Sequence, residues 1–256
     1  MSISDSFRLD GQVAVVTGGG KGIGRGIALC LAEAGADVAV ASRNADDLAE
    51  VVGQIEARGR RGLAVPTDVT DMTQLEALGE AVVAGLGAPT IWVNNAGGLP
   101  DATPRYLTRT PEDRWDAQVD LNLKSVWAGA VVAAKHMAEA GGSIINISSR
   151  TAQGPQIKNG PYAASKAATN SLTQTLSVEL APKIRVNAVA PGPIPTQNFL
   201  ESTGTTEESL PDLEAALPIP LKRVGKVEDI GAAVVFMASP AASWITGQCL
   251  YVDGGL

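Results

Sequence analysis

Short apolar runs alternate along the chain with longer segments whose apolar residues recur every three or four positions. The short runs predict buried strands, and there are seven of them, at residues 13–16, 38–41, 63–65, 91–93, 143–147, 184–189 and 249–252. The longer segments predict amphipathic helices, at residues 23–34, 46–58, 72–86, 112–140, 162–180 and 227–238. This alternation of strand and helix indicates repeated βαβ units.

Repeated βαβ units require a parallel sheet with helices on both faces, and near-continuous aliphatic strands are typical of a sheet that is buried on both sides. We therefore predict an α/β fold with one doubly wound sheet of seven parallel strands. No linker, charge block or internal repeat interrupts residues 1–256, so we expect a single domain.

The least regular segment, residues 191–221, is rich in proline. A long loop in a compact domain is usually functional. We interpret this segment as a loop that covers the substrate, with a simple surface excursion as the alternative. Four of its large apolar residues either form a wall for the substrate or anchor the loop: Phe199, Leu200, Leu213 and Leu217.

Composition limits the classes of partner. The formal net charge is −7, which argues against nucleic acid because phosphate binding needs a basic surface. Residues 1–10 have no apolar signal core, and no stretch reaches the roughly 18 apolar residues that a membrane span requires. Cys30 and Cys249 have neither metal-binding nor disulfide spacing. We expect a cytoplasmic protein without a metal, a membrane partner or a nucleic-acid partner.

A glycine-rich turn follows the first strand, where residues 17–24 are T-G-G-G-K-G-I-G. Glycines let backbone N–H groups approach a pyrophosphate closely, and the start of the following helix adds partial positive charge. The spacing is T-G-x-x-x-G-x-G and not the common G-x-G-x-x-G. The turn predicts a nucleotide site, with a plain tight turn as the alternative.

Ser42 and Arg43 follow the second strand, where enzymes that use NAD usually place an acidic residue against the ribose. A carboxylate there would repel a 2′-phosphate, whereas a hydroxyl and a guanidinium donate hydrogen bonds to it. Lys21 in the glycine turn adds a second cation. The sequence therefore predicts NADP(H) over NAD(H), unless Arg43 is only a solvated surface residue.

Reduction of a carbonyl by hydride needs one group that protonates the oxygen and another that polarises it. Tyr162 and Lys166 lie four residues apart at a predicted helix start and so share one face. A neighbouring ammonium is expected to lower the pKa of the tyrosine. Ser149, just after the fifth strand, is our candidate for polarising the oxygen. A Y-x-x-x-K pair alone would more often be a surface helix pair.

Together, the T-G-x-x-x-G-x-G, N-N-A-G and Y-x-x-x-K motifs resemble the short-chain dehydrogenase/reductase family, from about residue 9 to the end. The resemblance implies a single-domain Rossmann fold that moves a hydride between a nicotinamide and a carbonyl or alcohol. It makes Tyr162 the acid/base and gives Lys166 a second role in holding the nicotinamide ribose. It also implies that Asn122 keeps a water-linked proton path.

The same resemblance assigns further contacts to the cofactor. These are Gly18, Gly22, Ile23 and Gly24 in the glycine turn, Asp68 and Val69 at the adenine, Asn95, Ala96 and Gly97 in the N-N-A-G motif, and Pro191, Gly192, Ile194 and Thr196 after the sixth strand. Read alone, Asp68 is a helix cap or turn carboxylate, and the asparagine pair is a turn.

Substrate and assembly rest on the resemblance as well. It favours a 3-oxoacyl-thioester reductase, with a hydroxysteroid or other bulky-alcohol dehydrogenase as the alternative, and it implies a homo-oligomer, either a tetramer or a dimer. An alternative from another class is a nucleotide sensor that has lost its chemistry. A Ser-His-Asp hydrolase is disfavoured because His136 is the single histidine and no G-x-S-x-G motif is present.

Overall fold

The computed structural model describes residues 2–256 as one α/β domain built on a single sheet. Its seven strands run parallel in the order β3-β2-β1-β4-β5-β6-β7. They are β1 (Val13–Thr17), β2 (Asp37–Ser42), β3 (Gly62–Pro66), β4 (Ile91–Asn94), β5 (Gly142–Ile147), β6 (Ile184–Pro191) and β7 (Cys249–Val252). The predicted fold class and all seven predicted strands are confirmed.

The predicted helices are present within a few residues of their expected ends. In chain order the helices are α1 (Gly22–Glu33), α2 (Ala45–Glu56), α3 (Met72–Gly85), α4 (Glu112–Val119), α5 (Ser125–Met137), α6 (Gly160–Glu179), α7 (Gln197–Thr203), α8 (Leu210–Ala216) and α9 (Val227–Ala238). The long helix predicted over residues 112–140 is divided, because a π-helical turn at Asp120–Lys124 separates α4 from α5. The π-helical turn contains Asn122, one of the predicted site residues.

The sheet lies between two apolar layers, one on each face. On β1, Ala14 and Val16 pack into the layer with α1, α2 and α9, while Val13 and Val15 pack into the layer with α3 and α5. Successive strand residues point to opposite faces, and here both faces are covered. The five residues of β1 are therefore all buried.

The segment 191–221 is more regular than the sequence predicts, since it contains α7 and α8. The Thr196 hydroxyl accepts the backbone N–H of Phe199 and caps the start of α7. Gly204, at φ +65°, ends that helix in the left-handed region that favours glycine. Pro211 stands in the first turn of α8, where proline is tolerated because no N–H partner is required. The prolines thus border short helices instead of preventing them.

The order of the strands positions the site. β1 pairs with β2 on one side and with β4 on the other. The chain adds β2 and β3 on the first side and then crosses to the second side for β4, so the strand order reverses at β1. Ligands of such sheets bind in the crevice outside the carboxyl ends of the strands at this reversal. In the part of the chain that the structure describes, no helix is both long enough and apolar enough to cross a membrane.

Candidate active site

The glycine turn is folded tightly against the end of β4. Gly18 has φ +64°, and a Cβ added to it would lie 2.8 Å from the Asn95 amide nitrogen. A Cβ at Gly24 would lie 2.1 Å from the carbonyl oxygen of Gly18, and Gly22 has φ +53°. Only glycine fits these positions. The turn forms a compact backbone cradle at the start of α1, which fits the phosphates of a dinucleotide.

Thr17 and Asn95 hold the ends of β1 and β4 together. The Thr17 hydroxyl accepts the N–H groups of Asn95 and Ala96, each at 3.1 Å. The Asn95 side-chain amide in turn donates to the carbonyls of Thr17 at 2.9 Å and Gly18 at 3.2 Å. Thr17 was not among the predicted site residues, although Thr17 begins the glycine motif. Its hydroxyl fixes the distance between the glycine turn and the N-N-A-G segment.

The predicted adenosine side of the site lies at the end of β2. Ser42 lies beside the glycine turn, since a Cβ at Gly20 would be 3.0 Å from its hydroxyl. Arg43 is exposed. Lys21, which the sequence offers as a second cation, forms an ion pair with Asp47 at 3.1 Å. No sequence pattern indicated this pairing.

Asp68 stands in a turn and does not cap α3. Its carboxylate accepts the backbone N–H of Thr70 at 3.0 Å and the Thr70 hydroxyl at 2.7 Å. These hydrogen bonds, aided by the nearby Arg43 guanidinium, hold the pKa of the Asp68 carboxyl below its usual range. The cap of α3 is Asp71. Val69, which follows Asp68, is buried.

Tyr162 and Lys166 lie on one face of the first turns of α6, beside the end of β5. The Lys166 ammonium lies 5.7 Å from the centre of the Tyr162 ring and donates a hydrogen bond to the carbonyl of Ile147 at 2.8 Å. Ser149 follows β5, and its hydroxyl accepts from the Thr151 hydroxyl at 2.9 Å. The sheet thus brings together the three groups that the sequence predicts for catalysis.

The pKa of Tyr162 differs from the sequence expectation. Burial raises the pKa of the phenol, and the hydrogen bond with Ser149 opposes this shift only in part. Burial also lowers the pKa of Lys166 to about 8. Desolvation disfavours the charged form of both groups. Tyr162 therefore keeps its proton at neutral pH, as a proton donor must.

Asn122 occupies the π-helical turn between α4 and α5 and is fully buried. Its side-chain oxygen accepts the N–H of Gly98 at 2.9 Å, and its amide nitrogen donates to the Gly98 carbonyl at 2.9 Å. The nitrogen also donates to the Gln118 side chain at 3.0 Å. Gln118 was not among the predicted residues, although its spacing of four from Asn122 was a signal. The π-turn thus holds the backbone of Gly98, the residue directly after the N-N-A-G segment.

Gly97 is the point at which these groups converge. A Cβ added there would lie 2.9 Å from the Asn122 side-chain oxygen and 3.3 Å from the Lys166 ammonium nitrogen. The hydrogen atom of glycine leaves this space open. Asn122, Lys166 and the backbone after β4 therefore border one small region beside Tyr162.

The segment after β6 reaches back to the glycine turn. Gly192 donates its N–H to the carbonyl of Val252 at 3.0 Å, which holds the segment to β7. Ile194 is buried, and a Cβ at Gly22 would lie 3.1 Å from the Thr196 side chain. Pro191 is the last residue of β6. Thr196 thus lies against the glycine turn, and the other three predicted cofactor residues precede it in the same segment.

A comparison with known families decides the affiliation. A family model described as enoyl-(acyl carrier protein) reductase matches residues 18–256. The chain belongs to the short-chain dehydrogenase/reductase family. The 3-oxoacyl-[acyl-carrier-protein] reductase of Thermotoga maritima is 39% identical over 257 residues, covering 98% of this chain and 99% of its own.

Solved structures of other short-chain dehydrogenases/reductases superpose closely. A 7α-hydroxysteroid dehydrogenase in complex with NADH and 7-oxoglycochenodeoxycholic acid is 38% identical with a TM-score of 0.91, covering 100% of this chain and 98% of its own. A gluconate 5-dehydrogenase from Burkholderia cenocepacia, in complex with NADP and tartrate, is 34% identical with a TM-score of 0.90, covering 100% and 98%. This chain is therefore an oxidoreductase of a family that uses nicotinamide cofactors and small-molecule substrates.

Proposed function

We propose that this chain is an NADP(H)-dependent reductase that transfers a hydride between the nicotinamide and a carbonyl or secondary alcohol. The observation that carries this proposal is one cluster of side chains: Asn122 and Lys166 meet at Gly97, Tyr162 lies beside Lys166, and Ser149 is hydrogen-bonded to Tyr162. A non-catalytic sensor would have no use for a protonated phenol and a buried ammonium at this place.

Each catalytic side chain has one task in the proposed reduction. The nicotinamide, when bound, supplies the hydride. Tyr162 donates its proton to the substrate oxygen, and the Ser149 hydroxyl polarises that oxygen through a hydrogen bond. The Lys166 ammonium stabilises the phenolate that remains on Tyr162. Asn122 holds the backbone of Gly98 and, with Lys166, borders a path by which Tyr162 regains a proton.

The cofactor is proposed to lie along the crevice between the glycine turn and Gly97. Its pyrophosphate would meet the backbone of Gly18, Gly22, Ile23 and Gly24 and the hydroxyl of Thr196. Its adenine would lie near Asp68 and Val69. Its nicotinamide half would meet the backbone of Asn95, Ala96 and Gly97, the Tyr162 and Lys166 side chains, and the segment formed by Pro191, Gly192 and Ile194.

We expect NADPH to give a higher kcat/KM than NADH, and Arg43→Asp to shift this ratio toward NADH by on the order of 10-fold to 100-fold, because a charge-assisted hydrogen bond is replaced by repulsion. Arg58→Asp, which makes the same charge change beyond the far end of α2, is the matched control. Steady-state kinetics with both cofactors checks this. A wild-type kcat/KM for NADH equal to or above that for NADPH would contradict it.

The favoured substrate is a 3-oxoacyl thioester, supported by the likeness to the Thermotoga maritima reductase over nearly the whole of both chains. A hydroxysteroid is the second candidate, supported by the superposition on the 7α-hydroxysteroid dehydrogenase. In both cases residues 191–221 are proposed to cover the substrate, because Asn198 of α7 lies next to Gly98: its amide nitrogen would be 3.9 Å from a Cβ at that glycine.

The decisive assay is NADPH oxidation by purified protein with acetoacetyl thioesters, diketones and ketosteroids in parallel. Turnover restricted to thioesters supports the first substrate class, and turnover restricted to ketosteroids supports the second. Tight NADPH binding with no turnover on any of these carbonyls would contradict the reductase proposal and favour a sensor.

We also propose that the chain forms a homo-oligomer through the helices that carry the site. Trp127 and Val131 of α5 and Val178 of α6 expose 48%, 40% and 78% of their surface, which is a large apolar area for helices flanking an active site. Light scattering is expected to give two or four times the 26.2 kDa of one chain. Trp127→Glu is expected to shift the protein toward smaller species, and a wild-type monomer would contradict the proposal.

A further inference from the structure

Two carboxylates face the two cations that we propose for binding the 2′-phosphate. The Lys21 ammonium lies 3.1 Å from a carboxylate oxygen of Asp47. The charge of Arg43 helps to depress the pKa of the Asp68 carboxyl, so these two groups are also close. The predicted phosphate pocket is therefore not a simple basic patch. Asp47 is the stronger case, because it makes a direct contact.

The local structure holds Asp47 in this position. The side-chain oxygen of Asn44 accepts the backbone N–H groups of Asp46 and Asp47 at 3.0 and 3.4 Å, which starts α2 directly after β2. A Cβ at Gly20 would lie 3.1 Å from Asp47 Cβ and 3.0 Å from the Ser42 hydroxyl. The Asp47 side chain is 23% exposed, whereas the Lys21 side chain is 64% exposed. The carboxylate is thus held beside the glycine turn, whereas most of the lysine side chain is in contact with solvent.

We propose that Asp47 is an internal counter-ion for Lys21 and that the 2′-phosphate of NADP(H) must displace it, so that Asp47 sets how strongly the enzyme prefers the phosphorylated cofactor. This inference rests on the proposed use of NADP(H). Carboxylate and phosphate are both anions that take charge-assisted hydrogen bonds from an ammonium. One lysine at the edge of the turn cannot pair fully with both.

The competition acts on one cofactor and spares the other. NADH has a 2′-hydroxyl and leaves the pair between Lys21 and Asp47 intact. NADPH must draw the ammonium away and then sits beside a carboxylate that has lost its partner. Asp47 therefore weakens the binding of NADPH without affecting that of NADH, and it lowers the selectivity that Lys21 and Arg43 would otherwise give.

The test compares Asp47→Asn with Asp46→Asn. Both substitutions remove one negative charge from the first turn of α2, and both leave a side chain of the same size, but only Asp47 contacts Lys21. Dissociation constants for NADPH and NADH are measured by nicotinamide fluorescence, and thermal melting checks that each variant is folded. Asp47→Asn is expected to tighten NADPH binding by about fivefold, the effect of one unit charge at ~4 Å in a water-like medium, and to leave NADH unchanged. Asp46→Asn is expected to change neither.

The contrary results are distinct. Weaker NADPH binding in Asp47→Asn would mean that the carboxylate positions Lys21 for the phosphate, which overturns the competition. An equal change for both cofactors, or an equal effect in Asp46→Asn, would also overturn it. Lys21→Gln distinguishes a failure of the proposed role of Asp47 from a failure of the proposed cofactor. If it lowers NADPH affinity while Asp47→Asn does nothing, only this inference fails, whereas a wild-type enzyme that prefers NADH removes the proposed cofactor itself.

Discussion

Replacing Tyr162 with phenylalanine is expected to lower kcat/KM for carbonyl reduction by about 10²–10⁴-fold, the usual contribution of a positioned proton donor. The side chain lies beside Lys166, and its raised pKa keeps the phenol protonated at neutral pH. Phenylalanine fills almost the same volume but cannot protonate the oxygen left by hydride transfer. NADPH affinity should change little, because the cradle formed by the glycine turn is untouched.

The control for this variant is Tyr251→Phe, which removes a phenol that is hydrogen-bonded to Asn170, about two turns further along α6. It should retain most of the activity. Full activity of Tyr162→Phe, with a normal melting temperature, would exclude Tyr162 as the acid.

The wild-type rate of reduction should also fall as pH rises through about 8, where Lys166 loses its proton, because a neutral amine no longer stabilises the phenolate.

The second large effect is expected at Gly24→Ala. The added methyl group would lie 2.1 Å from the Gly18 carbonyl oxygen and 2.4 Å from the Asn95 amide nitrogen, so backbone must move. We expect a loss of roughly 1–3 kcal/mol in the free energy of unfolding, as in other overpacked sites. NADPH affinity should fall by at least about tenfold, because the displaced backbone is the proposed pyrophosphate cradle.

Gly53→Ala is the matched control, since Gly53 lies within α2 and a Cβ there has no atom within 4 Å. That variant should be more stable by about 0.4–1 kcal/mol and should bind NADPH normally, because alanine favours helix without meeting a neighbour. Denaturant unfolding and fluorescence titration measure both variants. A stable Gly24→Ala protein with unchanged NADPH affinity would remove the glycine turn from the proposed site.

The sheet could be predicted because its strands carry an apolar signal that does not depend on their neighbours. Runs such as residues 13–16 are apolar on both faces and mark central strands wherever they occur. The helices α7 and α8 escaped prediction because their seven residues are too few for a periodic pattern. The caps of α7 at Thr196 and Gly204 were the available signal, and the surrounding prolines concealed it.

The residues of the site could be predicted from the sequence more fully than their pKa shifts and ion pairs. Motif spacing located Tyr162, Lys166 and Ser149, and the structure brings them together. The shift in the pKa of Tyr162 depends on burial by distant parts of the chain, which sequence spacing does not encode. The contact of Lys21 with Asp47 likewise depends on how α2 leaves β2. Local patterns therefore identify the reacting groups, while the tertiary structure determines their protonation and their pairing.

The clamp between Thr17 and Asn95 has a consequence for synthesis on the ribosome. The two residues are 78 positions apart, and the glycine turn takes its shape only when β4 lies next to β1. A nascent chain that ends before residue 95 contains the whole glycine motif but lacks the amide that supports it. Contacts of such long range form late in folding. Nucleotide cannot therefore stabilise the emerging amino-terminal segment, and a newly made chain must extend past β4 before the proposed cofactor can help it fold.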